Sequence, residues 1–459
     1  MGKTSTLRWL AMLALPCCGG GASVQLLDSS TPQVDSATPK TDGATATARD
    51  ASAKSAKVDS RPVPANEIRS NKLRDLAPVV AASDAAQLAA DNVAFGVDLY
   101  GQLRARNTGN FIFSQTSISL DLAMLYGGAA NDTAAQMATA LHFTLPPERL
   151  HPAFNALDLA LSAPPAGDDA NAFQLVLANS SWLQAGYSVL PSYLDLLAEN
   201  YDAGLFLEDF ATAPEIARTD INRWVSDETE QMIPALFDPG TISPDARLVL
   251  ANAVYFHGIW AQAFKPTTSI GTFHAPNGDV SVPMMSSQET SARLWSAAGW
   301  TAVSLGYQGG TASMILLVPD LGTFDAFEQG LTATSLATML DPAGAMTGAV
   351  TMPRFKFSTP SPLNAVLASL GMTDAFDPSL ADFSGIDGTR NLSIDKVIHK
   401  AVIAVDEQGT TAAAATGTTG TVLVLLPEPF RVDRPFLFFI RHNSTGAILF
   451  QGRVVDPSQ

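Results

Sequence analysis

The sequence predicts an α+β fold, and three observations lead to this prediction. Apolar residues recur at helical spacing through much of the first part of the chain, whereas short β-branched or aromatic runs dominate the rest. The last two runs, between residues 436 and 455, flank the hairpin signal Asn443-Ser444-Thr445-Gly446. Helices grouped before strands are typical of folds in which helices pack on sheets.

Individual elements follow from the same spacing rules. Helices are predicted at residues 85–106, 117–125, 194–201 and 216–236, and Thr133 is expected to cap a further helix that begins at Ala134. Strands are predicted at residues 173–183, 248–256, 313–318, 350–357 and 397–405. With 459 residues, 46% of them hydrophobic, the chain can form one large domain or two ordinary ones.

Composition excludes several classes of function. The net charge of −17 argues against a nucleic-acid-binding protein, because such proteins usually carry a basic surface. None of the six histidines belongs to an HExxH pair, and neither a GxSxG motif nor a Walker loop occurs. The sequence therefore offers no catalytic set, no metal site and no cofactor site. On pattern alone, His399 is a core histidine in an apolar run.

The N-terminal residues 1–18 resemble a bacterial lipoprotein signal peptide. Lys3 and Arg8 accompany the short apolar run at residues 9–15, which is too short to span a membrane. Cys17 and Cys18, the chain's two cysteines, follow this run, and either can be the lipid-modified residue. We expect an exported protein, anchored to a membrane by acyl chains and facing the periplasm or the exterior. The alternative is ordinary secretion with cleavage nearby.

A flexible tether is predicted at residues 19–78, ahead of a folded domain at residues 79–459. The stretch is rich in Ala, Ser, Thr, Asp and Pro and cannot bury enough apolar area to offset its ordering entropy. As a flexible coil of about 55 residues it would span roughly 40 Å.

The segment from Gly409 to Pro427 is unusual because it is long, uncharged and made of small or β-favouring residues. In a strand, Thr410, Ala412, Ala414 and Thr416 would share one face, and all four are small enough to pass over a filled core. The segment could therefore enter a sheet as an additional strand. The alternative is a disordered linker.

Several motifs, in this order, resemble those of the serpin family, from about residue 85 to residue 457. The matching segments are residues 110–118 (NFIFSQTSI, with Gln115 where proline is usual), 252–260 (NAVYFHGIW), 353–356 (PRFK), 370–376 (LGMTDAF), 381–386 (ADFSGI), 397–401 (VIHKA) and 433–441 (DRPFLFFIR). The resemblance implies a serpin fold, with helices around a large central β-sheet, two further sheets and an exposed reactive-centre loop. It also implies a monomer that is not an enzyme but an inhibitor of serine proteases, acting by suicide cleavage and covalent trapping.

The resemblance assigns roles to particular residues. The hinge of the reactive loop would comprise Glu407, Gly409, Thr410, Ala412, Ala413, Ala414, Ala415 and Thr416. A shutter beneath the sheet would comprise Ser114, Ser117, Asn252 and His399, so that His399 becomes a polar latch. Gly258 and Trp260 match the breach, where the loop first enters the sheet. Bulky or charged residues do not interrupt the hinge, which favours an inhibitor.

The cleaved bond is predicted to be Leu423-Val424, counting from the hinge, or Val424-Leu425, counting back from Pro435. No Arg or Lys occurs between Lys400 and Arg431, so trypsin-like targets are not expected. Elastase-like, chymotrypsin-like or subtilisin-like proteases fit an aliphatic bait residue. The alternatives are a non-inhibitory serpin that acts as a carrier or chaperone, and a surface lipoprotein that uses the fold for adhesion.

Overall fold

The computed structural model describes residues 64–163, 173–265, 269–287, 291–410 and 428–459. The predicted signal peptide, both cysteines, the hinge beyond Thr410 and the predicted cleavage sites lie outside these ranges. The helices are α1 (Ala82–Arg106), α2 (Gln115–Tyr126), α3 (Asn131–Ala140), α4 (Pro147–Leu161), α5 (Pro191–Tyr201), α6 (Pro214–Glu228), α7 (Phe324–Gln329), α8 (Ala333–Met339), α9 (Asn364–Ser369) and α10 (Ser384–Asp387).

Eighteen strands occur within the described ranges. They are β1 (Glu67–Ile68), β2 (Phe111–Phe113), β3 (Phe173–Gln184), β4 (Leu205–Glu208), β5 (Leu248–Ile259), β6 (Ser269–Ala275), β7 (Gly278–Ser286), β8 (Ala292–Ala297), β9 (Trp300–Gly306), β10 (Ala312–Pro319), β11 (Met346–Gly348), β12 (Val350–Pro353), β13 (Phe355–Pro362), β14 (Ile394–Val405), β15 (Gly409–Thr410), β16 (Phe430–Arg431), β17 (Phe436–His442) and β18 (Ile448–Val454).

The strands form three sheets. The first has the order β1-β4-β3-β5-β15-β14-β13, the second β11-β8-β9-β10-β17-β18-β2, and the third β16-β12-β7-β6. The predicted α+β class, with one large sheet, two further sheets and surrounding helices, is confirmed.

The central strand β5 of the first sheet is buried on both faces along most of its length. Helix α6 covers one face, where Ile221 and Val225 pack against Ala251 and Ala253 of β5. On the other face, Val254 and Phe256 of β5 pack against residues of the second sheet, and Leu248 and Leu250 join the core formed by helices α1 to α5. A strand that entered this sheet would therefore have to fit between two packed layers.

The centre of the first sheet contains a parallel pair of strands that are far apart in sequence. Residues Leu248 to Tyr255 of β5 pair directly with Ile394 to Val402 of β14. At one end of this pair the chain reverses after Val405 and returns as β15, which lies between β14 and β5 and is antiparallel to both. Gly409 and Thr410 thus separate β5 from β14 at one end, whereas these two strands pair directly along the rest of their length.

Residues 64–78 correct the predicted tether boundary, because they pack on the domain. Strand β1 pairs with β4, and Arg74 contacts Asp158 of α4 at 2.6 Å. Lys72 contacts Glu199 of α5 at 2.7 Å. The composition gave no sign of this docking because polar and charged contacts hold the segment, while Leu73 stays 82% exposed.

Some predicted elements have different bounds. Helix α3 begins at Asn131, so Thr133 lies inside the helix, where its hydroxyl accepts a bond from the Asp382 N–H. The helix predicted at residues 216–236 ends at Glu228. The strand predicted at residues 350–357 divides at Arg354 into β12 of the third sheet and β13 of the first. Helix α4, which contains Pro152, was not predicted.

Candidate functional site

The entry of β15 into the first sheet begins with a tight turn at Asp406. The Asp406 carboxylate accepts the backbone N–H groups of Gln408 (2.8 Å) and Gly409 (3.2 Å), and its own N–H donates to the Gly409 carbonyl at 2.9 Å. A side chain that accepts bonds from the next two or three residues is typical of Asx turns. Asp406 therefore directs the chain back into the sheet.

Two glycines allow β15 to approach β5 closely. A Cβ at Gly409 would lie 2.0 Å from the Gly258 carbonyl oxygen. A Cβ at Gly258 would meet the rings of Phe256 and Tyr307, each at 2.7 Å. Because both contacts are too short for any side chain, glycine is required at both positions for β15 to pair with β5.

Thr410 is the first side chain to enter the core between the sheets. It is fully buried, and its hydroxyl bonds the Tyr307 hydroxyl at 2.7 Å. The Tyr307 ring stacks on Trp260 with centroids 4.6 Å apart. Trp260 in turn donates its indole N–H to the Asp406 carbonyl and its backbone N–H to the Gln408 carbonyl, both at 2.9 Å. The breach thus binds both the turn and the first inserted residue.

Glu407 connects the turn to the boundary between two sheets. Its side chain is buried and forms a charge-assisted pair with Arg354, whose Nε donates to Glu407 Oε1 at 2.8 Å. The Glu407 carbonyl accepts the Phe264 N–H at 2.9 Å. Since Arg354 lies between β12 and β13, this pair ties the start of the hinge to both the first and the third sheet.

A row of polar side chains crosses the closed part of the first sheet. Asn179 of β3, Asn252 of β5 and His399 of β14 are lateral neighbours in the sheet. Asn252 donates from Nδ2 to Asn179 Oδ1 at 2.7 Å, and its Oδ1 lies 2.6 Å from His399 Nδ1. The bond between Asn252 and His399 spans the boundary at which a new strand would enter.

The N-terminal end of helix α2 forms hydrogen bonds with this row of side chains. The Ser114 N–H donates to His399 Nε2 at 3.1 Å, and the Ser117 hydroxyl donates to Asn179 Oδ1 at 2.9 Å. Ser114 also caps the helix, because its side chain accepts the Ser117 N–H. One helical turn therefore bonds residues on both sides of the β5–β14 boundary.

These bonds define the protonation of His399. Nε2 accepts from a backbone N–H, so it carries no proton, and Nδ1–H donates to Asn252. Complete burial lowers the pKa of His399 to about 3. A protonated ring would direct a second donor at the Ser114 N–H, so this pair of hydrogen bonds requires the neutral form.

Asp121, one turn after Ser117 on α2, is a buried acid in the same region. It is 1% exposed, and neither carboxylate oxygen has a hydrogen-bond partner among the described residues. Burial raises the pKa of Asp121 well above its usual range, and the nearby Asn252 amide opposes only part of this rise. The neutral acid is favoured, and its contribution to stability declines as pH rises through its pKa in the folded state.

The structure brings the predicted shutter residues Ser114, Ser117, Asn252 and His399 into one hydrogen-bonded group. It also places Gly258 and Trp260 against the described hinge residues Glu407, Gly409 and Thr410. The hinge residues Ala412, Ala413, Ala414, Ala415 and Thr416, and the bait residues Leu423, Val424 and Leu425, lie outside the described ranges.

Sequence reasoning missed several residues of this site. Asn179 and Tyr307 have partners that are distant in sequence, so spacing along the chain gave no signal for them. Arg354 lies within the motif at residues 353–356 and Asp406 two residues before Gln408, but neither was assigned a role. Asp121 had one available signal, a charged residue within the apolar run of α2.

Within the described ranges, no helix is long and apolar enough to cross a membrane. Nor do these ranges contain a group of three or more His, Cys, Asp or Glu side chains that could hold a metal ion.

Comparisons with known proteins agree with this geometry. A family model described as serpin (serine protease inhibitor) matches residues 90–457. Leukocyte elastase inhibitor A of Mus musculus is 38% identical over 383 residues, which are 81% of this chain and 100% of that protein.

Two solved structures have a similar fold. Uncleaved ovalbumin superposes with a TM-score of 0.73 at 29% identity, covering 81% of this chain and 100% of its own. The thermophilic serpin tengpin, in its native state, gives a TM-score of 0.73 at 28% identity, covering 85% of this chain and 97% of its own.

Acid should destabilise the native form through His399. Its pKa is about 6.5 when unfolded and about 3 when folded, so the unfolded chain binds more protons between these values. The stability is fully present above pH 6.5 and is lost as pH falls toward 3, by about 2 kcal/mol at pH 5. Urea unfolding followed by tryptophan fluorescence at several pH values measures this loss.

The variant His399→Gln should lack this part of the pH dependence, whereas His257→Gln on β5, outside the polar row, serves as the control. Equal pH dependence in His399→Gln and the unmodified protein would contradict the assignment.

Proposed function

Because this chain belongs to the serpin family, we propose that it inhibits serine proteases by presenting residues 411–427 as bait and then inserting them into the first sheet. The observation that carries this proposal is the state of the β5–β14 boundary. Gly409 and Thr410 already occupy it, while β5 and β14 still pair directly from Leu248 to Tyr255. This partial entry supports insertion of a longer strand at the same boundary.

The chemistry would come from the target protease. Its serine oxygen attacks the carbonyl carbon of the bait residue, the peptide C–N bond breaks, and the new amine leaves with a proton. The bait residue stays bound to the serine as an acyl ester. Residues between Thr410 and the bait, now released at one end, can pass between β5 and β14 and carry the protease with them.

Extending the existing register predicts where the loop would go. Gly409 is paired with Ile259 and Thr410 with Gly258, so each further loop residue advances one position along β5. Thr416 would then lie opposite Asn252, and Gly420 opposite Leu248 at the far end of the strand. The side chain of Thr416 would share the face of Thr410. Its hydroxyl would enter the polar row in place of the bond between Asn252 and His399.

The insertion has opposing energetic terms. It breaks the β5–β14 pairing and the Asn252–His399 bond. It forms a new antiparallel ladder on both sides of the loop, and small inward side chains keep its burial cost low. Loop insertion that releases a free-energy difference stored in the native state is a known type of switching transition. The acyl ester would be trapped if insertion outpaced its hydrolysis.

The target class follows from the bait. Leu423 or Val424 is aliphatic, which suits the hydrophobic pockets of elastase-like, chymotrypsin-like or subtilisin-like enzymes. A relative that is 38% identical carries the name leukocyte elastase inhibitor A, which supports an elastase-like target.

The direct test is incubation of the protein with elastase, chymotrypsin, subtilisin and trypsin, followed by a denaturing gel. A band at the summed mass that survives boiling in detergent is expected for at least one of the first three enzymes. Cleavage of the loop without such a band for every enzyme would overturn covalent trapping and favour a carrier or chaperone.

Membrane attachment through Cys17 or Cys18 is a second part of the proposal, supported by the basic and apolar residues before them. Two or three acyl chains would hold the protein on a membrane, since each buried CH₂ contributes about 0.8 kcal/mol. In a bacterial host, the double variant Cys17→Ser/Cys18→Ser should move to the soluble fraction, and mass spectrometry should identify the acylated residue. Equal membrane recovery of the variant would contradict lipid attachment.

Thr416→Arg should convert the inhibitor into a substrate. In the extended register Thr416 would enter the buried polar row opposite Asn252, so a guanidinium there would be desolvated without a partner once the loop inserts. We expect cleavage at an undiminished rate with at least about tenfold less covalent complex, because the destabilisation exceeds 1.4 kcal/mol. Thr416→Ser, which keeps the hydroxyl, is the matched control; an undiminished complex with Thr416→Arg would refute the role of insertion.

Leu423→Arg should shift inhibition toward trypsin-like enzymes if Leu423 is the bait, since these enzymes recognise a cation through an acidic pocket. Val424→Arg provides the matched comparison. The variant that gains trypsin inhibition identifies the bait residue, and mass spectrometry of the released peptide places the bond. No gain with either variant would contradict both assignments.

A further inference from the structure

The outer edge of β3, on the side of this strand away from β14, lacks a strand partner over much of its length. On its inner side, β3 pairs with β5 from Phe173 to Leu183. On its outer side, β4 pairs only with Trp182, Leu183 and Gln184, and no other described strand is next to β3 there. Strands β3 and β5 separate this edge from the boundary at which the reactive loop would insert.

Three residues of this edge direct their backbone groups outward. The Gln184 N–H donates to the carbonyl of Arg247, which directly precedes β5, so even-numbered residues of β3 face β5. Successive residues direct these groups to opposite sides and the β3–β5 register is continuous, so Leu175, Leu177 and Asn179 face outward. No described residue forms a backbone hydrogen bond with them on that side. Such an unpaired row of donors and acceptors is a template for another strand.

A cavity of about 220 Å³ lies beside this edge, where the chain between α5 and β4 diverges from β3. It is smaller than the roughly 300–1,000 Å³ of typical small-molecule sites, so it suits individual side chains of a larger ligand. The Ser181 hydroxyl lines the cavity, and the residue is only 4% exposed. This hydroxyl has no hydrogen-bond partner among the described residues, which is costly for a buried polar group unless a ligand supplies one.

The side of the cavity that faces α6 is acidic. Trp182, Phe206 and Trp224 pack together on the face of the first sheet that α6 covers. Glu67 is the lateral partner of Phe206 and therefore lies on the same face, and Glu228 follows Trp224 by one turn of α6. Both carboxylates line the cavity.

These acids have too few cations around them. Arg69 contacts both Glu67 and Asp202, at 3.0 and 3.7 Å, so one guanidinium is shared by two carboxylates. Burial raises the pKa of Glu67, Arg69 opposes this rise, and the charges of Asp202 and Glu228 add to it. No Lys, Arg or His side chain of the described ranges lines the cavity. A cationic side chain that entered it would reduce the repulsion among the acids.

The opposite side of the cavity, which faces α2, is apolar. Asn179 lies on this face, because its side chain bonds the Ser117 hydroxyl of α2. Leu177, two residues before it, shares the face. Leu120 and Met124 of α2 complete this wall.

We propose that this edge binds an extended peptide segment of a partner protein in which basic and apolar residues alternate. The backbone of the segment adds a strand to the first sheet by pairing with Leu175, Leu177 and Asn179, which is a recurring mode of peptide recognition. Its basic side chains reach Glu67 and Glu228 on one face, and its apolar side chains pack against α2 on the other.

The first test is fluorescence anisotropy with the full chain and a labelled hexapeptide of alternating lysine and valine as the probe. Saturable binding with a Kd below about 1 mM is expected. The same peptide with its backbone nitrogens methylated should not bind, because it cannot donate to the sheet edge. A peptide of alternating glutamate and valine should not bind either, because its charge is repelled.

Hydrogen exchange at single-residue resolution locates the peptide. The amides of Leu175, Leu177 and Asn179 should gain protection when the lysine–valine peptide binds. The amides of Val176 and Ala178, which face β5, are the internal control and should not change. Protection of the outward amides before the peptide is added would mean that a second copy or another segment already covers the edge, and would overturn the proposal.

Glu67→Gln and Glu228→Gln should each weaken binding of the peptide at least about threefold. The matched control is Asp325→Asn, which removes one negative charge from α7, a helix that does not line the cavity. The proposal is overturned by no saturable binding up to about 10 mM, by equal binding of the methylated peptide, by equal losses in all three variants, or by protection along β5 and β14 instead. None of these readouts involves a protease.

Discussion

The direct parallel pairing of β5 with β14 is the constraint on which the rest of the structure depends. Adjacent parallel strands are normally joined by a crossover, whereas these two are separated by more than 130 residues and pair along the centre of the first sheet, where β5 is buried on both faces along most of its length. The hinge has entered only where Gly258 and Gly409 allow close contact and where Tyr307 and Trp260 bind it. Every account of insertion must therefore explain how this pairing opens.

The polar row is the part of the pairing that is easiest to break selectively. Hydrogen bonds, unlike apolar packing, depend on the protonation state of their members, and His399 must be neutral to bond both Ser114 and Asn252. Protonation of this histidine destabilises the native form as pH falls, whereas deprotonation of Asp121, buried one turn further along α2, destabilises it as pH rises. Under the proposed insertion, the Thr416 hydroxyl would take the place of the bond between Asn252 and His399.

Part of this site was predictable because several of its residues lie within family motifs of the sequence. Ser114, Ser117, Asn252 and His399 meet as the motifs imply. Their partners were not predictable: Asn179 reaches the row through lateral strand pairing, which leaves no trace in local spacing. Residues 64–78 were misassigned because a short strand pairing and two ion pairs dock them, and neither leaves a pattern of apolar residues in the sequence. The strand expected at residues 350–357 divides because Arg354 marks a change of sheet, and alternation alone does not show such a change.

The most direct test of this account is a disulfide across the β5–β14 boundary. Ala253 and Lys400 are lateral partners, and neighbouring strands lie about 4.8 Å apart, within the Cα separation that a disulfide requires. The variant Ala253→Cys/Lys400→Cys, with Cys17 and Cys18 replaced by serine, is compared in its oxidised and reduced forms on a denaturing gel with a protease that the unmodified protein traps. The account predicts that the oxidised form is cleaved without forming a covalent complex and that reduction restores the complex. An equal amount of complex in both forms would contradict it.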